Sequence, residues 1–342
     1  MSNALKSLMS EMVPAVEREM KSVLRFEEGI TPDPFYGMMQ YHMGWVDTDL
    51  QPTDGNGGKR IRPVLCLLSC AAAGGSWEQA VPAGAAIELL HNFTLIHDDI
   101  QDASPTRRGR PTVWKIWGME QAINSGDCMF ALAHSALYRL VERGVSPKTV
   151  VRAAKSFDHT CLKLTQGQYR DMDFETRRDV TVDEYLDMIG GKTAALLTHC
   201  GELGALIAGA DEETITHYAT FARELGLAFQ VKDDILGIWG NEDTIGKSAA
   251  TDIKTRKKTL PVLYGLSQSA DLRALYEQPE NGPGFVSDVV QLLDHCGART
   301  YAETMAARYS ESAIDHLEAA QPEGSAARAL HDLADLLLTR QH

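Results

Sequence analysis

Residues 78–104 restrict the fold more than any other part of the chain. Ala85, Ala86, Ile87, Leu89, Leu90, Phe93, Leu95 and Ile96 put apolar side chains on most faces of a helix. A helix of that kind belongs in the middle of a bundle, not on its surface. Yet the segment ends Ile96-His97-Asp98-Asp99-Ile100-Gln101-Asp102. Asp98 and Asp102 stand at i and i+4, so their carboxylates leave one helix face about one turn apart. Like charges that close repel, and desolvating them in apolar sequence is costly unless a cation bridges them. A second motif, Phe229-Gln230-Val231-Lys232-Asp233-Asp234-Ile235-Leu236, repeats the pattern. Two such faces meeting across a cavity would suit Mg²⁺, which favours carboxylates together with phosphate oxygens and retained waters. A lone DDxxD is more often a solvated helix face. Apolar flanks, the recurrence, and the basic run Arg107-Arg108-Gly109-Arg110-Pro111-Thr112 shift the balance to metal.

The rest of the chain is patterned for helices. Apolar residues recur at helical spacing near 4–25, 60–74, 78–104, 120–142, 147–174, 191–209, 212–239, 286–296, 298–320 and 325–340. Breaks fall at Gly74-Gly75-Ser76, Gly144, Gly190-Gly191, Gly240-Asn241 and the 278–284 stretch, and alternating strand patterns are scarce. The fold class is therefore all-α, a helical bundle around a central cavity, with both acidic motifs projecting inward. No linker interrupts the pattern, so residues 1–342 read as a single domain.

Composition excludes several classes. The 342 residues are 44% hydrophobic and 23% charged, ordinary for a globular protein with a large core. A net charge of −14 argues against nucleic acid but not against phosphorylated small molecules, because the basic residues are clustered. Cys66, Cys70, Cys128, Cys161, Cys200 and Cys296 are scattered without CxxC spacing, the mark of buried thiols in a reducing compartment. With no signal peptide and no membrane-length apolar run, the expected location is the cytoplasm.

Cations complete the constellation. Gly57-Gly58-Lys59-Arg60-Ile61-Arg62-Pro63 sets positive charges after flexible glycines and before a helix start, a geometry for gripping an anion. It is not a P-loop, since GxxxxGK[ST] is absent. Lys192 and Thr193 follow Gly190-Gly191 at another apparent helix start, and Lys247, Lys257 and Lys258 lie beyond the second acidic motif. A single lysine is usually a solvated surface group. This many beside two acidic motifs suggest a pocket for more than one diphosphate.

In this order the segments resemble one family, the trans-isoprenyl diphosphate synthases or polyprenyl synthetases. The resemblance runs from GGKRIRP through the first acidic motif with its RRGRPT tail, Gly167-Gln168, Lys192-Thr193, FQVKDD, and Gly246-Lys247 with Asp252 and Lys257, to the C-terminal helices. It implies an isoprenoid-synthase helical fold, a homodimer, and condensation of isopentenyl diphosphate with an allylic diphosphate. By the same resemblance, Asp98 and Asp102 are ligands of two Mg²⁺ ions and Asp233 of a third, with Mn²⁺ as a substitute. Asp99 and Asp234 support them through waters. Arg107, Lys192, Lys247 and Lys257 contact the allylic diphosphate, and Lys59, Arg62, His91 and Arg108 hold isopentenyl diphosphate. Thr193, Gln168, Asp171 and Gln230 line the reacting carbons.

Two positions depart from the family pattern. Gly237 stands where many relatives carry a third aspartate, which implies weaker metal binding there, and His91 stands where some have glutamine. Three other functions compete. A terpene cyclase on the same fold has no need of the second cation set, Lys59, Arg62 and Arg108. A non-catalytic partner subunit usually loses aspartates that are intact here. A di-iron protein needs paired Glu-x-x-His helices, and no such pair is present.

Product length turns on Phe93. An allylic tail growing from Asp98 back along its helix meets Thr94, Phe93 and Leu90, four, five and eight residues before it. In the resembled family, an aromatic residue five before the motif, without a second at four, goes with a C20 product. The expected product is geranylgeranyl diphosphate, with farnesyl diphosphate as the alternative.

Overall fold

The computed structural model describes all residues except 1, 2, 54, 56, 241–250, 279–281, 283 and 340–342. In it the chain forms two compact units. The first comprises Met1–Phe157, Cys200–Ile215 and Pro322–Leu330, and the second Asp158–His199, Thr216–Gln321 and His331–His342.

The helices in chain order begin with α1 (Asn3–Val23), α2 (Pro34–Met43), α3 (Ile61–Ala72), α4 (Val81–Gln101), α5 (Val113–Trp117) and α6 (Met119–Tyr138). They continue with α7 (Pro147–Thr176), α8 (Val182–Ile189), α9 (Ala195–Ala208), α10 (Glu212–Trp239) and α11 (Thr251–Lys254). The last are α12 (Leu260–Gln268), α13 (Ala270–Tyr276), α14 (Phe285–His295), α15 (Ala298–Ala319) and α16 (Gly324–Leu338). Among the described residues no helix is long and apolar enough to cross a membrane. No disulfide joins the six cysteines, of which Cys128 and Cys296 are only partly buried.

The first unit is organised around α4. Every residue from Val81 to Leu90 is buried, and α1, α3 and α6 pack on the helix. The all-round apolar pattern dictates this, since such a helix is stable only where no face meets water. Small residues bring neighbours close. A Cβ on Gly84 would stand 2.8 Å from Leu67 Cδ1, and one on Gly204 would stand 2.4 Å from the Cys66 carbonyl oxygen. Among the described residues of the second unit, two apolar clusters stand out. One gathers Phe174, Tyr185, Met188, Ile189, Leu227, Val231 and Leu260, and the other Ile238, Ile253, Leu272, Phe285, Val289 and Leu293.

Two features differ from the sequence expectation. Gly190-Gly191 does not start a helix. α8 runs straight into a π turn at Gly190–Ala194 and on into α9. Gly190 keeps right-handed helical geometry, with φ −57 and ψ −42, so it does not terminate the helical run, and Gly191 serves close packing instead. The second difference is the RRGRP run, which makes a two-stranded antiparallel hairpin from β1 (Thr106–Arg107) and β2 (Arg110–Pro111). Its turn residues Arg108 and Gly109 have φ 51 and 76, the paired positive values of a tight hairpin turn. Short helices α2, α5, α8, α11, α12 and α13 also lie outside the predicted segments. α2 and α8 owe their starts to local signals: Asp33 accepts from Phe35 N before Pro34, and Thr181 and Glu184 form a reciprocal capping box.

Because two of the three nearest atoms at Gly204, including the closest, are backbone atoms of α3, Gly204→Ala forces the two helices apart. Urea denaturation should show a loss of about 1–3 kcal/mol, the usual result of overpacking a dense core.

Candidate active site

The first acidic motif occupies the last turn of α4, with Asp102 as its C-cap; the Asp102 amide donates to the Asp98 carbonyl at 2.8 Å. A helix C-terminus carries partial negative charge, so carboxylates here are disfavoured by the helix as well as by each other. Asp99 points inward and is 2% exposed. Its Oδ1 accepts from Arg107 Nε at 2.8 Å, while Oδ2 is buried with no hydrogen-bond partner. Burial pushes the Asp99 carboxyl up, and Arg107 pulls it back. Asp98 is half-buried and Asp102 exposed.

These donors fit a hard cation of a particular kind. Among the described residues, no three His, Cys, Asp or Glu gather closely enough to hold an ion on their own. An ion at Asp98 and Asp102 must therefore complete its shell with water and ligand oxygens, which is how Mg²⁺ binds beside phosphates.

Cations converge on the same unit. The hairpin sends Arg107 to Asp99, and Arg108 Nη1 donates to the Gly57 carbonyl at 2.7 Å. Arg60, between the predicted anion contacts Lys59 and Arg62, turns inward instead. It is 3% exposed with φ 51, and its Nε donates to Glu17 Oε1 at 2.6 Å. Its Nη1 donates to Glu88 Oε1 at 2.8 Å and to the Gly57 carbonyl at 2.6 Å. With Arg60 clamped, Lys59 is left exposed. Arg62 Nη1 lies 3.3 Å from His91 Nε2, and Arg62 Nε is buried without a partner. Burial and the nearby Arg62, Arg108 and Arg107 hold the His91 pKa well below the imidazole range. A neutral His91 ring accepts from Arg62 at Nε2 and carries its proton on Nδ1. Sequence reasoning missed His42 and the clamp at Arg60. The one available signal was Glu88, a lone carboxylate in an apolar helix that must find a cation.

The second unit holds the other predicted residues. Lys192 in the π turn pairs with Asp171 of α7, and Thr193 donates from Oγ1 to Gln230 Oε1 at 3.0 Å. Gln230 Nε2 donates to Asp234 Oδ1 at 3.1 Å. Asp234 Oδ2 accepts from the Tyr185 hydroxyl at 2.5 Å and from Leu260 N at 3.2 Å. Burial pushes Asp234 up to about 6, against the pull of those donors and of Lys257. Tyr185 is a member that sequence reasoning did not find. Gln168 is half-buried, and Asp233 and Lys257 are exposed. Lys258 turns away, its ammonium capping the Phe174 and Glu175 carbonyls. Lys247 lies outside the described residues. At Gly237 the missing side chain leaves a space that is filled: a Cβ there would stand 2.3 Å from Asp252 Oδ2.

The residues expected to set product length sit on α4. Leu90 is fully buried, Thr94 Oγ1 donates to the His91 carbonyl at 2.7 Å, and the Phe93 ring lies 5.1 Å from Phe130 and 4.8 Å from His97.

The cationic surroundings have a consequence for acid stability. Burial, with Arg108 and Arg107 behind it, lowers His42 from 6.5 to about 3. The unfolded chain then binds a proton that the folded one refuses, so stability is lost as pH falls from 6.5 towards about 3. The slope approaches about 1.4 kcal/mol per pH unit for such a group. Urea midpoints at pH 7 and pH 5 should differ for the parent chain, and His42→Gln should reduce the difference.

The polyprenyl synthetase family model matches residues 45–293. A geranylgeranyl diphosphate synthase of Mycobacterium tuberculosis is 45% identical over 251 residues, 72% of this chain and 71% of that protein. A (2E,6E)-farnesyl diphosphate synthase of the same species is 38% identical over 312 residues, 89% of this chain and 86% of that protein. Among solved structures, a polyprenyl synthetase from Streptomyces coelicolor A3(2) superposes with TM-score 0.86 at 34% identity, covering 98% of this chain and 100% of that one. Taken with the two acidic motifs and their flanking cations, these likenesses mean that the chain belongs to the polyprenyl synthetase family, among its short-chain isoprenyl diphosphate synthases.

Proposed function

We propose that the protein is a Mg²⁺-dependent prenyltransferase that joins isopentenyl diphosphate to an allylic diphosphate and releases geranylgeranyl diphosphate. The observation that carries the reading is the number of cations that accompany the two acidic motifs, enough for two diphosphates. Lys59, Arg62, His91 and Arg108 serve isopentenyl diphosphate, while Arg107, Lys192, Lys247 and Lys257 serve the allylic substrate. A cyclase, with one diphosphate to hold, needs only the second set. Asp98, Asp102 and Asp233 are the metal ligands, and Asp252 supplies the carboxylate that Gly237 lacks. Bound Mg²⁺ neutralises charge on the departing diphosphate.

The residues do the rest. The cations draw the electron pair of the breaking carbon–oxygen bond onto the leaving diphosphate. Thr193, Gln168, Asp171 and Gln230 line the allylic carbons, and the double bond of isopentenyl diphosphate supplies the pair for the new carbon–carbon bond. The proton then lost goes to the released diphosphate. Arg107 holds Asp99, and Tyr185 with Gln230 holds Asp234, so that both support their neighbouring ligands.

We place the protein in the cytoplasm, working as one synthetase domain over 1–342 and as a homodimer. Support for the dimer comes from apolar side chains that stand exposed on α6 (Met119, Ile123, Tyr138) and α7 (Leu162, Tyr169, Met172).

Product chromatography with isopentenyl diphosphate and each of three allylic starters tests the assignment. A C20 diphosphate should form only when both substrates and Mg²⁺ or Mn²⁺ are present. A product from the allylic substrate alone would point to a cyclase, and a C15 end product to farnesyl diphosphate synthesis. Asp98→Ala should lower turnover about a thousandfold or more, equivalent to roughly 4 kcal/mol. Near-normal turnover of that variant at saturating Mg²⁺ would refute the ligand assignment.

Phe93 closes the tail pocket, braced by Phe130. Phe93→Ala should lengthen the product and Thr94→Phe should shorten it. An unchanged product distribution in both variants would place the floor elsewhere.

A further inference from the structure

Gly167 has no side chain to offer a substrate, yet the turn that carries Lys192 rests on it. A Cβ at Gly167 would stand 2.3 Å from Lys192 N and 2.8 Å from both Gly191 C and Lys192 Cα. Each of these is a backbone atom, so no side chain can swing away to make room. The contact is reciprocal. A Cβ at Gly191 would meet the Lys163 carbonyl oxygen at 2.8 Å and Gly167 Cα at 3.2 Å. Two glycines thus let the backbone of α7 touch the backbone of the π turn, and only glycine on both sides permits that approach.

The π turn itself is the second part of the device. One extra residue in a turn widens the helix locally, a distortion often found at functional sites. Here Lys192 reaches Asp171, which follows Gly167 by one turn on the same face of α7. Thr193, the next residue, reaches Gln230 of α10. Consecutive residues therefore serve two different helices, and the glycine contact fixes how near both partners lie. Gly190, two residues before Lys192, shows the contrast: a Cβ there would meet nothing within 4 Å.

We infer that Gly167 and Gly191 are positioning residues, whose backbone contact sets Lys192 and Thr193 against the allylic substrate. The inference rests on the allylic role given to Lys192 in the proposed function and deepens it. Asp171 and Gln230 anchor the side chains, but the glycines determine the distance at which they can do so. Displacing a substrate contact by about 1 Å can lower the rate about a hundredfold.

Steady-state kinetics of the parent, Gly167→Ala, Gly191→Ala and Gly190→Ala proteins, varying each diphosphate in turn, provides the test. Gly167→Ala should lower kcat/KM for the allylic diphosphate about a hundredfold, with the KM for isopentenyl diphosphate within about twofold of the parent value. Gly191→Ala should act in the same direction, and Gly190→Ala should match the parent. Equal losses on both substrates, or parent-like kinetics in Gly167→Ala, overturn the inference. If Gly167→Ala does not fold by circular dichroism, Gly191→Ala is read in its place. Failure of both to fold also overturns it, because the role requires a local shift in a folded chain.

A second measurement is independent of turnover. The stability coupling between Lys192 and Asp171, from a Lys192→Met, Asp171→Asn double-mutant cycle, should be present in the parent and lost in Gly167→Ala. Coupling that survives in Gly167→Ala refutes the positioning role whatever the enzyme makes. A parent that makes no prenyl diphosphate, with coupling lost as expected, refutes the assigned activity instead.

Discussion

A charge taken out of water must be matched by another, and that constraint shapes both units. At the carbonyl end of α4 the helix opposes negative charge, yet Asp98, Asp99 and Asp102 all sit there. Asp99, the most buried of them, is held by Arg107. The hairpin that delivers Arg107 makes the match possible. The same rule explains Glu88, which could not lie inside an apolar helix without Arg60 beside it. In the second unit the match at Asp234 is made by neutral donors, since among the described residues no buried cation lies against it. It is held by Tyr185, Leu260 and Gln230, and burial raises its pKa to about 6 against the pull of those donors.

Matching also fixes shape. Arg60 and Arg108 both take left-handed backbone conformations, which cost a non-glycine residue roughly 1 kcal/mol or more. Each is held there by bonds to the loop before α3: both guanidinium groups donate to the Gly57 carbonyl. The strain turns Arg60 inward while leaving Lys59 exposed. Side chains ordered in advance lose less entropy on meeting an anion than free ones do. The second unit reaches the same end by another route, with a π turn seated on a backbone contact in place of a strained loop.

Much of this was legible in the sequence because it rests on periodicity and local chemistry. The central position of α4 follows from an apolar pattern that no surface could accommodate. α10 spans the predicted 212–239 because its helical spacing is unbroken over that range. The acidic motifs, the GGKRIRP loop and Lys192-Thr193 could be picked out because charge in apolar sequence demands a reason. The hairpin at 106–111 was not legible: it depends on Arg108 adopting a conformation that its residue type resists.

The sequence alone determined that the chain is a helical bundle, that its carboxylates stand one turn apart, and which cations lie near them along the chain. Those are properties of spacing within single elements. Only the tertiary structure decided that Arg60 is a clamp and Arg62 faces His91. Nor could spacing reveal that Lys258 turns away, that Asp252 fills the space at Gly237, or that Gly190-Gly191 sits inside a continuous helical run. Each of these depends on which backbone or side chain from a distant segment arrives at a given point. Burial, and with it the pKa of His42, His91 and Asp234, exists only once those segments have packed.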